Sequence, residues 1–130
     1  MQHVDLKKIY QDLHALQVRA FGDEWEFDQD GNLVADALDQ ALQKYTILII
    51  AEAAELLNET NYKSHKPKKP LDIAAIQKEV VDVFIYSMDA ATVLFPSYEA
   101  FLQAVKEKKE YNERRSDWSI NSEEYRSSHS

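Results

Sequence analysis

Glu52 and Glu55 stand three residues apart inside TILIIAEAAELL, and Glu79 and Asp82 stand three apart inside KEVVDVFIY. Residues three or four apart on an α-helix share a face, so each pair is a two-carboxylate stripe. Both stripes continue apolar ones. The first runs back through Leu48 and Tyr45 and on to Glu59; the second passes through Ile76, Tyr86 and Asp89. An unpaired ionised carboxylate in a low-dielectric interior costs on the order of several kcal/mol, and the nearby cations, Lys44 and Lys78, lie off both stripes. One or two hard divalent cations would satisfy four converging carboxylates. Mg²⁺ takes oxygen ligands, keeps several waters and completes its shell with substrate phosphates, so the chemistry expected is the handling of phosphates.

A single E-x-x-E on a helix is ordinarily a solvated pair. Two such pairs inside apolar runs on consecutive helices are not explained that way. A ferritin-like di-iron bundle would need Glu-x-x-His, which the sequence lacks, and His3, His14, His65 and His129 are scattered without metallohydrolase spacing.

The elements that must carry these stripes are helical. With only two glycines and three prolines in 130 residues, the chain has few of the turn signals an all-β fold requires, and 45% hydrophobic content suits one domain with a core. Leu6, Ile9, Leu13 and Leu16 predict a first helix from about Asp5 to Arg19, ended by Gly22. FGDEWEFDQDGNL reads as a loop, with Asn32 or Asp36 available to cap a second helix that runs to about Thr60 and buries Leu38, Leu42, Tyr45 and Ile49. NETNYKSHKPKKP reads as a surface connection. Asp72 caps a third helix, apolar on nearly every side around residues 80–86 and stopped by Pro96. Ser97 caps a fourth, whose Phe101, Leu102 and Val105 face inward and whose second half is basic. The expectation is an all-α, four-helix-bundle core over residues 1–118 with a frayed tail over 119–130.

The chain has no cysteine and a net charge of −8. Thiolate sites are excluded, and general nucleic-acid binding, which needs an excess of Lys and Arg, is disfavoured. The N-terminus lacks the apolar core of a signal peptide, and no apolar run approaches the ~18 residues of a membrane span. A cytoplasmic protein without membrane or nucleic-acid partners is expected.

E-x-x-E followed after twenty-three residues by E-x-x-D resembles the all-α nucleoside triphosphate pyrophosphohydrolases that include MazG and the dimeric dUTPases. KKEYNERRSDW is similar to that family's K-x-x-x-N-x-x-R element, with Lys108, Asn112 and Arg115 at i, i+4 and i+7, and Tyr62-Lys63 stands where relatives have an aromatic-lysine pair. The resemblance spans roughly residues 35–118. It implies a MazG-like fold in which Glu52, Glu55, Glu79 and Asp82 hold Mg²⁺ or Mn²⁺, with Glu55 acting on the attacking water. It further implies that Lys63, Lys108, Asn112 and Arg115 contact the phosphates of a nucleoside triphosphate, and that the protein is a homodimer or homotetramer. By the same resemblance the base lies against the first helix and the following loop, which nominates Gln11, His14, Gln17 and Trp25.

From the residues alone, the C-terminal basic cluster is equally a solvated helix end at the negative pole of the dipole, whereas Lys63, Lys66, Lys68 and Lys69 read first as a soluble loop, from which only Lys63 is nominated to reach a phosphate. The contrasting class of function is a helical interaction module that has the fold without turnover. The identity of the base is not readable from FDQDGNL.

Overall fold

A computed structural model describes residues 5–115 as four α-helices: α1 (Leu6–Phe21), α2 (Ala35–Asn58), α3 (Ile73–Leu94) and α4 (Tyr98–Arg114). The all-α class is as expected. The tail expected over 119–130 lies outside the described residues, as do His3 and His129. The helices fall into two compact units that divide after Pro96, the first holding α1, α2 and α3 and the second holding α4.

Caps set three of the four starts. Asp5, Asp72 and Ser97 adopt extended backbone and accept from the amides of Lys7, Ala75 and Ala100, satisfying N–H groups that have no intrahelical partner. The second start differs from expectation: Val34 is the N-cap of α2 and offers no side-chain bond. Asn32 and Asp36 are otherwise placed. Asn32 lies in a turn in which Asp28 Oδ1 accepts from the amides of Asp30 and Asn32, and Asp36 falls in the first turn of α2, where its charge favours the dipole. Gly31 in that turn has φ of 82°, open to glycine without strain. The turn closes a short antiparallel bridge between Phe27 and Leu33, so the expected loop carries a small hairpin.

In the first unit α3 packs against both α1 and α2. Glu79 meets Glu52 near one end of the pair, while Asp89 lies near Tyr45 towards the other, so α2 and α3 run antiparallel. The core is narrower than the leucines suggest. On α2 the buried line is Ala37, Ala41 and Tyr45, with Leu38, Leu42 and Ile49 half-buried beside it. On α1 the buried residues are Tyr10 and Gln17, whereas Leu6 and Leu16 are exposed, so the inward face is turned from the one the leucine spacing predicts. Small alanines let the helices approach closely, and Tyr10 donates its hydroxyl to the Ala91 carbonyl across the contact at 3.2 Å.

The stretch expected to be wrapped on all sides is only half covered. Val80, Val81 and Phe84 are each about half exposed, and the buried part of α3 lies further on, at Met88, Asp89, Ala91 and Thr92. In the second unit Phe101 is half-buried, but Leu102 and Val105 are exposed rather than inward. No single described helix is long and apolar enough to cross a membrane.

This packing makes a direct comparison of two substitutions. Met88, only 1% exposed, should lose about 2 to 4 kcal/mol on truncation to alanine, whereas Leu16→Ala should cost about 0.5 kcal/mol or less. Urea denaturation of the two variants checks this; a larger loss at Leu16 would restore the leucine face of α1 to the core.

Candidate metal centre

Antiparallel packing brings the two acidic stripes together. Glu52, Glu55 and Glu79 each present one carboxylate oxygen such that all three lie within 4.8 Å of one another. Glu52 and Glu79 are half-buried, and each has its Oε2 closed to solvent without a hydrogen-bond partner; Glu55 is exposed. Asp82 stands one turn on and is exposed, outside the converging trio, but its charge bears on Glu52.

The electrostatics follow from this crowding. Glu52 is held above the ordinary carboxylate range, first because it shares a hydrogen bond with Glu79, then through desolvation and the like charges of Glu79 and Asp82. A hydrogen bond with Glu55 acts in the opposite sense. No lysine or arginine is ion-paired with any member of the group among the described residues. Two buried oxygens without donors, three converging carboxylates and mutual repulsion are what a hard cation would relieve, so the donor set fits a divalent ion bound through oxygen.

A second polar group lies further along the same stripe of α3, ten residues beyond Glu79 and therefore about 15 Å along the axis. Asp89, 8% exposed, accepts from Gln17 Nε2 at 2.9 Å, and the same amide nitrogen reaches Thr92 Oγ1 at 3.4 Å. Thr92 donates its hydroxyl to the Asp89 carbonyl. Burial pushes the Asp89 carboxyl up to about 6, with the positive charge of Lys44 acting against it. Burial and the neighbouring Asp89 charge also raise Tyr45. The Tyr45 hydroxyl and Gln17 Oε1 are buried without partners. Asp89 and Tyr45 thus extend the carboxylate stripes into a buried polar cluster that the E-x-x-E and E-x-x-D spacing does not announce.

The nominated base residues differ in burial. Gln17 is inside, but Gln11 and His14 are exposed, and His14 borders a shallow surface concavity with Asp12, Leu16 and Arg19. Trp25 is half-buried and stacks on Phe21 at 5.6 Å between centroids, with Lys44 Nζ over the other aromatic ring, that of Phe21. Lys63 sits on the exposed α2–α3 loop with its Nζ 5.6 Å from the Tyr62 ring centroid.

The second unit carries the remaining nominees. Lys108 Nζ and the Arg115 guanidinium both lie over Tyr111, 4.9 and 5.4 Å from its ring centroid. Asn112 is half-buried with its Oδ1 closed to solvent and unpartnered. α4 ends at Arg114, and Arg115 is its C-cap, one residue past the helix that carries Lys108 and Asn112.

A family model described as dUTPase matches residues 5–125, nearly the whole chain. The chain belongs to the dUTPase family, in its all-α, MazG-like branch. Its activity class is accordingly that of a nucleoside triphosphate hydrolase. No curated protein and no solved structure matches the chain.

The Asp89 environment gives a signed pH dependence. Its folded-state pKa lies above the ordinary 3.8, so the folded protein holds this proton more tightly than the unfolded chain does. Stability from this group is fully present below about pH 4 and declines as pH rises through 6, by on the order of 2 to 3 kcal/mol. Asp89→Asn keeps the acceptor for Gln17 and removes the charge. Its Tm should exceed wild type by several degrees at pH 7.5, with the difference closing near pH 4 in paired melts. A lower Tm at pH 7.5 would contradict the assignment.

Proposed function

We propose that the protein is a Mg²⁺-dependent pyrophosphohydrolase that converts a nucleoside triphosphate to its monophosphate and pyrophosphate. The observation that carries this reading is the convergence of Glu52, Glu55 and Glu79, with two oxygens withheld from water and lacking donors, in a chain of this family. Glu52 and Glu79 are the anchoring ligands, Glu55 and Asp82 the exposed ones on the substrate side. Mg²⁺, with Mn²⁺ as a substitute, would supply charge neutralisation on phosphate oxygens.

The chain's own groups account for the rest. Glu55, the exposed member of the trio, accepts a proton from, or orients, the attacking water in this reading. Lys108, Asn112 and Arg115 are the phosphate-holding group, with Tyr111 supporting both cations from beneath. Water is the nucleophile, so no serine or cysteine is required. The base end is assigned to the Gln17 side, where Gln17 Oε1 and the Tyr45 hydroxyl have hydrogen-bonding capacity unspent, and to Trp25. The reading does not rest on Gln11 or His14.

A homodimer or homotetramer belongs to the same proposal. Ile47, Ile50 and Leu57 share one exposed face of α2, and Val80, Val81 and Phe84 cluster on α3, both on sides away from the carboxylates. Light scattering at micromolar concentration should give a multiple of 15.1 kDa; a monomer would count against it.

Activity is tested with a panel of nucleoside triphosphates and Mg²⁺, scored for pyrophosphate. Glu55→Gln and Asp82→Asn should each abolish release with helical content intact, and near wild-type turnover in either would remove the metal-site assignment. Arg115→Lys should impair turnover because an ammonium loses the planar fork that grips a phosphate at two points. Arg114→Ala should change it little. Equal losses would indicate general electrostatics, and the reverse order would reassign the phosphate contact to Arg114.

A further inference from the structure

The α2–α3 loop is a strongly basic stretch in an acidic chain, and unlike the basic half of α4 it has no carboxylates interspersed. Between Glu59 and Asp72 it carries Lys63, Lys66, Lys68, Lys69 and His65 and no carboxylate side chain, against a net charge of −8 for the whole protein. It is also pinned. Asn61 Nδ2 donates to the Lys69 carbonyl and Asn61 Oδ1 accepts from the Lys69 amide, both at 2.9 Å, so one side-chain amide spends a donor and an acceptor on one residue eight positions away. Within the closed loop the Lys66 amide bonds the Lys63 carbonyl and Pro67 fixes a backbone φ, and Pro70 does the same just beyond it. Such registration holds the lysines in a fixed order against chain entropy.

The loop closes the end of the α2–α3 pair that bears the carboxylate trio. Glu55 lies three residues before the last residue of α2 and Glu79 six after the first residue of α3, about 5 and 9 Å along the helix axes. Lys63 is drawn towards Tyr62, whose hydroxyl reaches Asn58. Lys66, Lys68 and Lys69 are exposed and have no ion-pair partner among the described residues. A triphosphate held at the carboxylates by a cation would still present its outermost phosphate as uncompensated charge, at the end of the helix pair that the loop closes.

We propose that Lys66, Lys68 and Lys69 form the seat of the substrate's terminal phosphate, and that Asn61 is the positioning residue that holds this seat in register. The loop then selects triphosphates over diphosphates. This rests on the pyrophosphohydrolase reading for the location of the inner phosphates.

The test is calorimetry in Mg²⁺ with inorganic tripolyphosphate and pyrophosphate as probes, alongside turnover of the best nucleoside triphosphate and its diphosphate. Wild type should bind tripolyphosphate more tightly. K66S/K68S/K69S and Asn61→Ala should each weaken tripolyphosphate at least tenfold, leave pyrophosphate within about twofold and keep Tm unchanged. Asn61→Asp, which retains the acceptor for the Lys69 amide and loses the donor, should fall between Asn61→Ala and wild type. In turnover the losses should appear as a raised KM for the triphosphate, with diphosphate kinetics unaltered. Undiminished tripolyphosphate binding by the triple variant, or equal loss of both probes, overturns the seat. Wild-type behaviour of Asn61→Ala beside a defective triple variant overturns the role of Asn61. Failure of the loop proposal leaves wild-type turnover in place, whereas failure of the underlying reading abolishes it, so the two are distinguishable.

Discussion

Like charges forced together at the contact of two helices are the constraint around which this molecule is arranged. The antiparallel pairing of α2 and α3 buries one oxygen each of Glu52 and Glu79 and sets Glu55 beside them, with no lysine or arginine ion-paired to them among the described residues. In water this would be a poor contact. It persists because the same helices are fastened further along by Ala41, Tyr45, Met88 and Ala91, packed at 3% exposure or less, and by the α1 contacts of Tyr10 and Gln17. Packing at one end thus holds electrostatic strain at the other, an arrangement suited to a site completed by a cation.

The acidic pairs were legible because a helix converts a spacing of three into a shared face, and two such faces within apolar runs leave few places to go. The caps of α1, α3 and α4 were legible for a similar reason: Asp5, Asp72 and Ser97 each precede an apolar-periodic run. The start of α2 was not. Asn32 and Asp36 are both good capping types, but the hairpin turn around Asp28 takes Asn32, and the bridge of Phe27 to Leu33 carries the chain directly into Val34. Local propensity lost to a turn whose bonds span only five residues.

The core itself was misjudged in register. Leucine periodicity on α1 points through Leu6 and Leu16, yet the inward face holds Tyr10 and Gln17, because the partner surface on α3 is polar at Asp89 and Thr92 and needs a donor rather than a methyl group. Gln17 was readable only as one of several polar residues on a helix; its role depends on a residue seventy-two positions away. Likewise Val80, Val81 and Phe84 look like core in one dimension and are half exposed in three, since α3 buries its later turns instead. Arg115 lies a single residue past the end of α4, as its C-cap.

Mg²⁺ titration of the wild-type protein by isothermal calorimetry, repeated on Glu79→Gln, tests the central claim most directly, because it asks for the cation without asking for turnover. The account predicts saturable Mg²⁺ binding to wild type, with a rise in Tm, and loss of both in Glu79→Gln, whose Mg²⁺-free Tm should equal or exceed that of wild type as repulsion with Glu52 is relieved. Absence of saturable binding to wild type, or equal binding by Glu79→Gln, would contradict it.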